Sequence, residues 1–347
     1  MTSTDDRSAS TLPRPDEATV RDAVSLACRA PSLHNSQPWR WVYDGDKLDL
    51  YADPTRLVQH DAHGRQLQLS CGAALDHLAV ALAVHGWRAV VNRFPDPRTP
   101  SLLASLIFVP ARFVTDAEHR RADAIAHRHT DRLPFAAPAG SAVWSTFLTT
   151  LTERVADYVP TSLAIVPEDR RADLAEASRL TAARRRYDAE YHNELRWWTG
   201  HPAHEEGVPA DVLPSADERA RVPIARTFPP FAKGEPTAAE RRPEVAADES
   251  ALLVLCCRRD EPLDWLRCGE ALSAVLLDAT MAGYATCPLT HLTEIPASRA
   301  VVARAAGTTE LPQVVVRIGT APAGEPERAS TARRPLADVF TSVARPA

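Results

Sequence analysis

Apolar positions along the chain fall into helical and strand periods, separated by polar stretches that carry proline. Val20, Ala23, Val24 and Ala27 share one face of a helix that Asp16 can cap. The helix is expected to run to about Ala30, because Pro31 ends it. Trp41–Tyr43 and Leu48–Ala52 read as strands of a hairpin around Asp44-Gly45-Asp46-Lys47. Helical periods also cover 116–127, 141–156 and 168–198, and strands are expected at 104–109, 162–166, 252–257 and 314–318. Residues 1–15 are polar and proline-bearing, and are expected to be disordered. Between 200 and 248 lie eight prolines, many charges and little periodicity. A long stretch of that kind inside a domain serves as a lid or a linker.

The periodic segments contain a repeat. Leu69-Ser70-Cys71-Gly72-Ala73-Ala74-Leu75 matches Leu266-Arg267-Cys268-Gly269-Glu270-Ala271-Leu272, and the match runs without a gap to Gly86-Trp87 and Gly283-Tyr284. The offset is constant at 197 residues, and Leu75, Leu78, Ala79, Leu82 correspond to Leu272, Val275, Leu276, Ala279. Both copies read as a buried helix ended by glycine. Two copies are too few for a solenoid. They suggest two fused copies of one fold, a pseudo-dimer in a single chain. The alternative is a chance likeness between two buried helices.

Composition narrows the function classes. The 347 residues are 45% hydrophobic and 24% charged, as in an ordinary globular protein, with a formal net charge of −5. That balance argues against a nucleic-acid partner. No uninterrupted apolar run reaches the roughly 20 residues of a membrane span, and the N-terminus lacks a signal-peptide pattern, so no membrane partner and a cytoplasmic location are expected. The six cysteines sit in apolar segments without Cys-x-x-Cys spacing and read as buried thiols, not as metal ligands. Dinucleotide-binding Gly-x-Gly-x-x-Gly, phosphate-loop, Gly-x-Ser-x-Gly and His-Glu-x-x-His motifs are all absent from the sequence.

Four constellations remain. Arg29 to Trp41 packs Ser32, Asn35 and Gln37 between Pro31 and Pro38, a stiff polar turn suited to a flat polar ligand. In Arg128-His129-Thr130-Asp131-Arg132 two arginines flank a hydroxyl and can grip one phosphate; the competing reading is a solvated helix end with Asp131 pairing an arginine. Arg333 lies in a basic segment near the C-terminus, and Gly283 to Leu289 follows the second repeat helix as a turn. His34 is the nearest titratable group in the first motif, and a structural hydrogen-bonding role fits it better than catalysis.

The first constellation resembles the flavin-contacting turn of FMN-dependent nitroreductases. Together with Arg128–Phe135, Tyr191–Gly200 and Cys268–Thr280, it makes the chain similar to the Acg-type NAD(P)H nitroreductases over about residues 16–345. The resemblance implies an α+β, nitroreductase-like fold with two homologous halves fused as an intramolecular pseudo-dimer. The expected organisation is 1–15 disordered, 16–115 the first half and 116–347 the second, with 197–248 as a lid. It also implies FMN as cofactor and NAD(P)H as possible co-substrate, the flavin passing hydride to nitroaromatic or quinone-type acceptors. The implied cofactor contacts are Pro31, Ser32, Asn35 and Gln37 from one half. The other half would supply Arg128, Thr130, Arg132, Cys287, Pro288, Leu289 and Arg333. No catalytic side chain is assigned, because the chemistry would belong to the cofactor. The mirror-related site lacks both motifs, so one FMN per chain is expected. The fusion removes the need for a homodimer without forbidding one. The alternative is a protein that sequesters FMN beneath its lid. A hydrolase built on Ser32 and His34 is a poor third reading.

Overall fold

The computed structural model describes residues 13–61, 63–138, 140–200, 205–228, 239–325 and 330–343. The expected disorder of 1–15 therefore falls largely outside the described residues. In chain order the strands are β1 (Trp39–Tyr43), β2 (Lys47–Ala52), β3 (Trp87–Arg93), β4 (Leu102–Pro110), β5 (Thr161–Ile165), β6 (Ala251–Cys257), β7 (Ala285–Leu289), β8 (Leu311–Gly319) and β9 (Phe340–Ser342). The helices are α1 (Glu17–Ala27), α2 (Arg65–Val84), α3 (Asp116–His127), α4 (Ser141–Ala156), α5 (Arg171–Arg185), α6 (Ala189–Gly200), α7 (Ala216–Ala220), α8 (Pro262–Met281), α9 (Pro296–Ala305) and α10 (Leu336–Val339).

Two sheets flank a central helix pair. One sheet has the order β3-β4-β2-β1-β9 and the other β5-β6-β8-β7. All pairings are antiparallel except β1 with β9, which lie parallel with Trp41 opposite Phe340. The tail of the chain thus completes the sheet built by its beginning.

The central pair is α2 and α8, the two repeat helices. A Cβ built on Gly72 would stand 2.0 Å from the carbonyl oxygen of Leu266, and one on Gly269 would stand 2.1 Å from that of Leu69. Positions 197 apart therefore exchange the same contact, as partners do across an isologous dimer interface. Only glycine permits backbones this close. Beside the crossing, Ser273 Oγ donates to Asp76 Oδ2 at 2.5 Å and lies 2.7 Å from His77 Nδ1. Tyr158 donates to the other Asp76 oxygen at 2.7 Å. Asp76 and Ser273 are themselves an offset pair. Burial raises the Asp76 carboxyl above its ordinary range.

α2 is long and apolar enough to cross a membrane by length and composition, though Gln66, Gln68, Asp76 and His77 interrupt its apolar run. It is the mostly buried core helix of this protein. All six cysteines are buried free thiols, as expected.

Local chemistry explains where the elements depart from their periods. α1 is capped by Asp16, which accepts from Thr19 N at 2.8 Å, but it ends at Ala27, three residues before Ala30. The 168–198 period is not one helix. It breaks at 186–188, and Asp188 restarts it by accepting from Tyr191 N at 3.0 Å. Residues 285–289 form a strand where a turn was expected. β7 is the edge of its sheet, so Pro288 removes no ladder bond on its open side. The described part of 200–248 is ordered by polar clamps. Ser215 and Glu218 form a capping box, and the buried Glu218 carboxylate accepts from the backbone of Arg241 at 2.7 Å and Arg242 at 3.2 Å.

Gly269→Ala or Gly72→Ala must separate the helix pair and is expected to destabilise the protein by about 3 kcal/mol or more, measured by denaturant unfolding.

Candidate functional site

A cavity of about 560 Å³ lies between the two sheets' connections and the 205–228 segment. Four stretches distant in sequence reach it: the turn after α1, the segment after α3, strand β7, and the segment before α10. Leu69 and Ser70 of α2 and Leu272 of α8 add to its wall, next to the glycine crossing. Of the sequence-predicted residues, Pro31, Ser32, Asn35, Arg128, Thr130, Arg132, Cys287, Pro288, Leu289 and Arg333 line it.

Gln37 does not line the cavity; it is fully buried and works as a clamp. Its Nε2 donates to Asn35 O at 3.2 Å and to Glu205 O at 2.7 Å, and its Oε1 accepts from Arg334 N at 2.8 Å. Ser32 Oγ accepts from Gln37 N at 3.0 Å, and Asn35 Nδ2 donates to Ala332 O at 3.1 Å. The turn is thereby locked to the C-terminal segment. His34, Asn35 and Gln37 have φ of 51°, 58° and 50°. Left-handed backbone at three non-glycine residues costs about 1–3 kcal/mol each, and such strain concentrates at ligand clamps.

Arg128 and Arg132 separate rather than grip one point. Arg128 turns towards the first half's turn, with one terminal nitrogen 3.4 Å from Arg29 O. Arg333 Nε donates to Cys28 O at 3.1 Å, and a terminal nitrogen donates to Arg29 O at 3.1 Å. Arg29, Arg128 and Arg333 thus converge, and among the described residues no carboxylate pairs with any of them. Nε of Arg29, and Nε and one terminal nitrogen of Arg128, are buried without a hydrogen-bond partner. Burial, with Arg333 and Arg29 adding repulsion, pushes the Arg128 guanidinium down to about 9. Burial and Arg29 bring Arg333 down to about 10. Unpaired donors on crowded buried cations could be satisfied by a multiply charged anion. Asp131 pairs instead with Arg242, at 2.6 Å. Arg29 opens the first motif but carries no family position, so only the fold singles it out.

The other end of the cavity is closed by apolar groups. The His34 ring is stacked on Trp198 at 6.2 Å and meets Phe228 edge-on at 6.1 Å. Among the described residues ring packing holds it, without the expected hydrogen bond, and burial keeps it well below the usual histidine range. Arg132 lies 5.8 Å from the Phe228 ring centroid, and burial lowers its guanidinium too. Gly207, Val208, Leu213, Val222 and Phe228 of the roof line this end. Tyr191, Leu195, Val208, Leu213 and Phe228 form a small core of their own. Tyr191 and Leu195 fall in the expected 168–198 helical period, whereas Val208, Leu213 and Phe228 were not legible singly, because their segment lacks a helical or strand period.

The roof is tied down at several points. Glu194 accepts from the backbone of Gln59 at 2.5 Å and of His60 at 3.3 Å, and lies 2.5 Å from His60 Nδ1. Arg56 pairs with Glu206, and Arg226 pairs with Glu294 while donating to Tyr191 OH at 2.8 Å. Burial alone would raise the Glu294 carboxyl, but the Arg226 guanidinium outweighs it and holds it at about 2.

The offset of 197 maps this site onto a second place. There Thr290 becomes Arg93, Ser70 becomes Arg267 and Ala73 becomes Glu270. Arg93 makes a fork on Glu270 at 2.7 and 2.6 Å, and Arg267 adds a contact to the same carboxylate at 2.9 Å. The counterparts of the lining residues Ser70 and Thr290 are thus arginines tied to one carboxylate.

No protein-family model matches the chain. It is 50% identical over 323 residues to "Putative NAD(P)H nitroreductase acg" of Mycobacterium tuberculosis, covering 92% of this chain and 95% of that one. It is 44% identical to "Uncharacterized protein Rv3127" of the same organism (92% of each chain) and 38% identical to "Putative NAD(P)H nitroreductase Rv3131" (94% and 92%). Among solved structures, it is similar to the FMN-dependent nitroreductase NfnB of Mycobacterium smegmatis, crystallised with NADPH. That match has 15% identity and a TM-score of 0.42, over 66% of this chain and 100% of that one. A nitroreductase-type protein from Anabaena variabilis matches at 9% identity and a TM-score of 0.45, over 89% and 90%. The assignment rests on the sequence relatives alone. They define an α+β protein of nitroreductase class. The chain belongs to the Acg-type nitroreductase family.

Because Glu294 is held below its ordinary 4.5, its tie to Arg226 is at full strength above that pH and is lost as the pH falls towards 2. Thermal melts between about pH 5 and about pH 2 should lose stability more steeply in wild type than in Glu294→Gln.

Proposed function

We propose that the chain binds one FMN in this cavity and belongs to the NAD(P)H-dependent oxidoreductases that its relatives' names describe. The observation that carries this reading is the uncompensated Arg29–Arg128–Arg333 cluster at one end of an otherwise mostly apolar cavity. An anion on those buried donors satisfies them and removes the repulsion among them. A flavin mononucleotide has the matching shape: one phosphate at the cluster, a polyol past Thr130 and Asn35, and a flat ring against residues 287–289. When bound, FMN supplies hydride transfer between NAD(P)H and a nitroaromatic or quinone-type acceptor.

The chain's own residues bind and shield. Ser32 and Gln37 keep the strained turn in register, and Gln37 ties it to both the C-terminal segment and the roof. Arg132 presents positive charge at the enclosed end, where low dielectric strengthens its field. His34 stays neutral and serves as packing between turn and roof. A Ser32–His34 hydrolytic pair has no support, because the Ser32 hydroxyl oxygen is taken by Gln37 N and His34 is stacked away in the roof.

We further propose that the chain is a fused pseudo-dimer, cytoplasmic, with halves of about 16–115 and 116–347 and the lid at 197–248. The reciprocal glycine contacts support the fusion. The Arg93–Glu270–Arg267 cluster supports a single flavin per chain, since the counterparts of the lining residues Thr290 and Ser70 are arginines tied to a carboxylate. The storage reading is favoured by one observation, the roof pinned through Glu194, Glu206 and Arg226.

Arg128→Met and Arg333→Met should each weaken FMN binding by at least about tenfold, and leave riboflavin binding within about twofold, in fluorescence titrations. The flavin-free Arg128→Met protein should melt at a higher temperature than flavin-free wild type, because a repelled buried cation is gone. Equal weakening of FMN and riboflavin would contradict the placement. Steady-state NADPH oxidation with menadione should be measurable in wild type and rise several-fold in Glu194→Gln, which loosens the roof. Turnover only in the variant would favour storage.

A further inference from the structure

The cavity is not equally closed at its two ends. At the roofed end His34, Gly207, Val208, Phe228 and Cys287 are buried. Beside the arginine cluster the lining residues Ala126, His127, His129, Gly283 and Ser330 are exposed. Ala126–His129 bracket Arg128 in sequence, and Ser330 stands three residues before Arg333. The cavity therefore opens to solvent next to the anion site; elsewhere on its wall Arg219 of the roof and Gly324 are also exposed.

A partly buried aromatic cluster, packed on the core of the second sheet, adjoins this mouth. Tyr284, which lines the cavity next to Gly283, meets Trp144 at 5.3 Å and Phe147 at 5.1 Å. Trp144 and Phe147 stack at 5.4 Å with planes 28° apart. All three rings are half-buried. The site's ion-pair and hydrogen-bond network does not use them. An exposed mouth, an anion site just inside it and a half-open aromatic cluster beside it together match an extended phosphate ester. Its inner phosphate sits on the arginines, and whatever is esterified to that phosphate leaves through the mouth. Base rings stack on aromatic side chains without sequence preference.

On the reading that the cavity holds a flavin by its phosphate, we propose that it also accepts the flavin as its adenosine diphosphate ester, FAD. The isoalloxazine lies inward, the first phosphate on Arg29, Arg128 and Arg333, and the adenosine outside the mouth on the Trp144–Phe147–Tyr284 cluster.

The test is titration of flavin-free full-length protein with FMN, FAD and riboflavin, followed by flavin fluorescence, in wild type and Trp144→Ala. FAD should bind within about tenfold of FMN, and Trp144→Ala should weaken FAD about fivefold or more while FMN binding stays within about twofold. Unchanged FMN binding also reports that the variant is folded. FMN binding with FAD weaker by about a hundredfold or more would overturn the proposal and leave the FMN reading intact. So would a Trp144→Ala variant that binds FAD as wild type does, or one that loses both flavins equally while Trp144→Phe restores both equally. Failure of all three flavins to bind would overturn the FMN reading and this proposal with it.

Discussion

The structure depends on the contact between two glycines and two carbonyls at its centre. With Gly72 against Leu266 and Gly269 against Leu69, α2 and α8 approach closely enough for their backbones to touch. That approach sets the distance between the two sheets. It also fixes where the cavity can form, because Leu69, Ser70 and Leu272 lie on or beside the crossing and face it. The parallel pairing of β1 with β9 acts in the same direction, since it carries the chain's last segment, and Arg333 with it, back to the first helix and turn. A substitution at the crossing is therefore felt at the site without touching it.

The proposed anion site is held at a cost to the unliganded protein. Three guanidiniums meet with no carboxylate among the described residues to balance them, and burial with mutual repulsion pushes Arg128 and Arg333 down. The strained turn at His34, Asn35 and Gln37 adds to that cost. Three other arginines of the cavity wall are paired: Arg242 with Asp131, Arg226 with Glu294, Arg317 with Asp248. The contrast is what separates a binding site from a structural ion network, since both perturb ionisation. The offset-related Arg93–Glu270–Arg267 cluster shows the paired alternative at a matching place in the fold.

Much of this was legible in the sequence where periodicity or a rigid residue carried the signal. The cap at Asp16, the hairpin around Gly45, the helices at 116–127 and 141–156 and the strands of both sheet centres follow apolar spacing, and the repeat located the central helix pair. Edge elements were less legible. β3 alternates buried and exposed positions only weakly, β7 carries a proline, and β9 is three residues long. A lid at 197–248 was expected, but its internal order was not legible, because that order comes from carboxylates clamping backbone N–H groups, as Glu218 and Glu194 do, and such clamps leave no period. At the site, the motif residues were legible, but not how they divide. Nothing in Arg128–Arg132 says that its two arginines part to opposite ends of a cavity, or that Arg29 joins one of them. Gln37 has the right residue type for a ligand contact, yet its amide is consumed by Asn35, Glu205 and Arg334.

The central claim is that the two halves build one flavin site, not two and not none. The most direct measurement is the absorption spectrum of protein reconstituted with excess FMN and freed of unbound flavin, with flavin and chain quantified on the same sample. The account predicts flavin bands and a ratio of about one flavin per chain. A ratio of about two would show that the mirror position is open, and a spectrum without flavin would contradict the assignment of the arginine cluster to its phosphate.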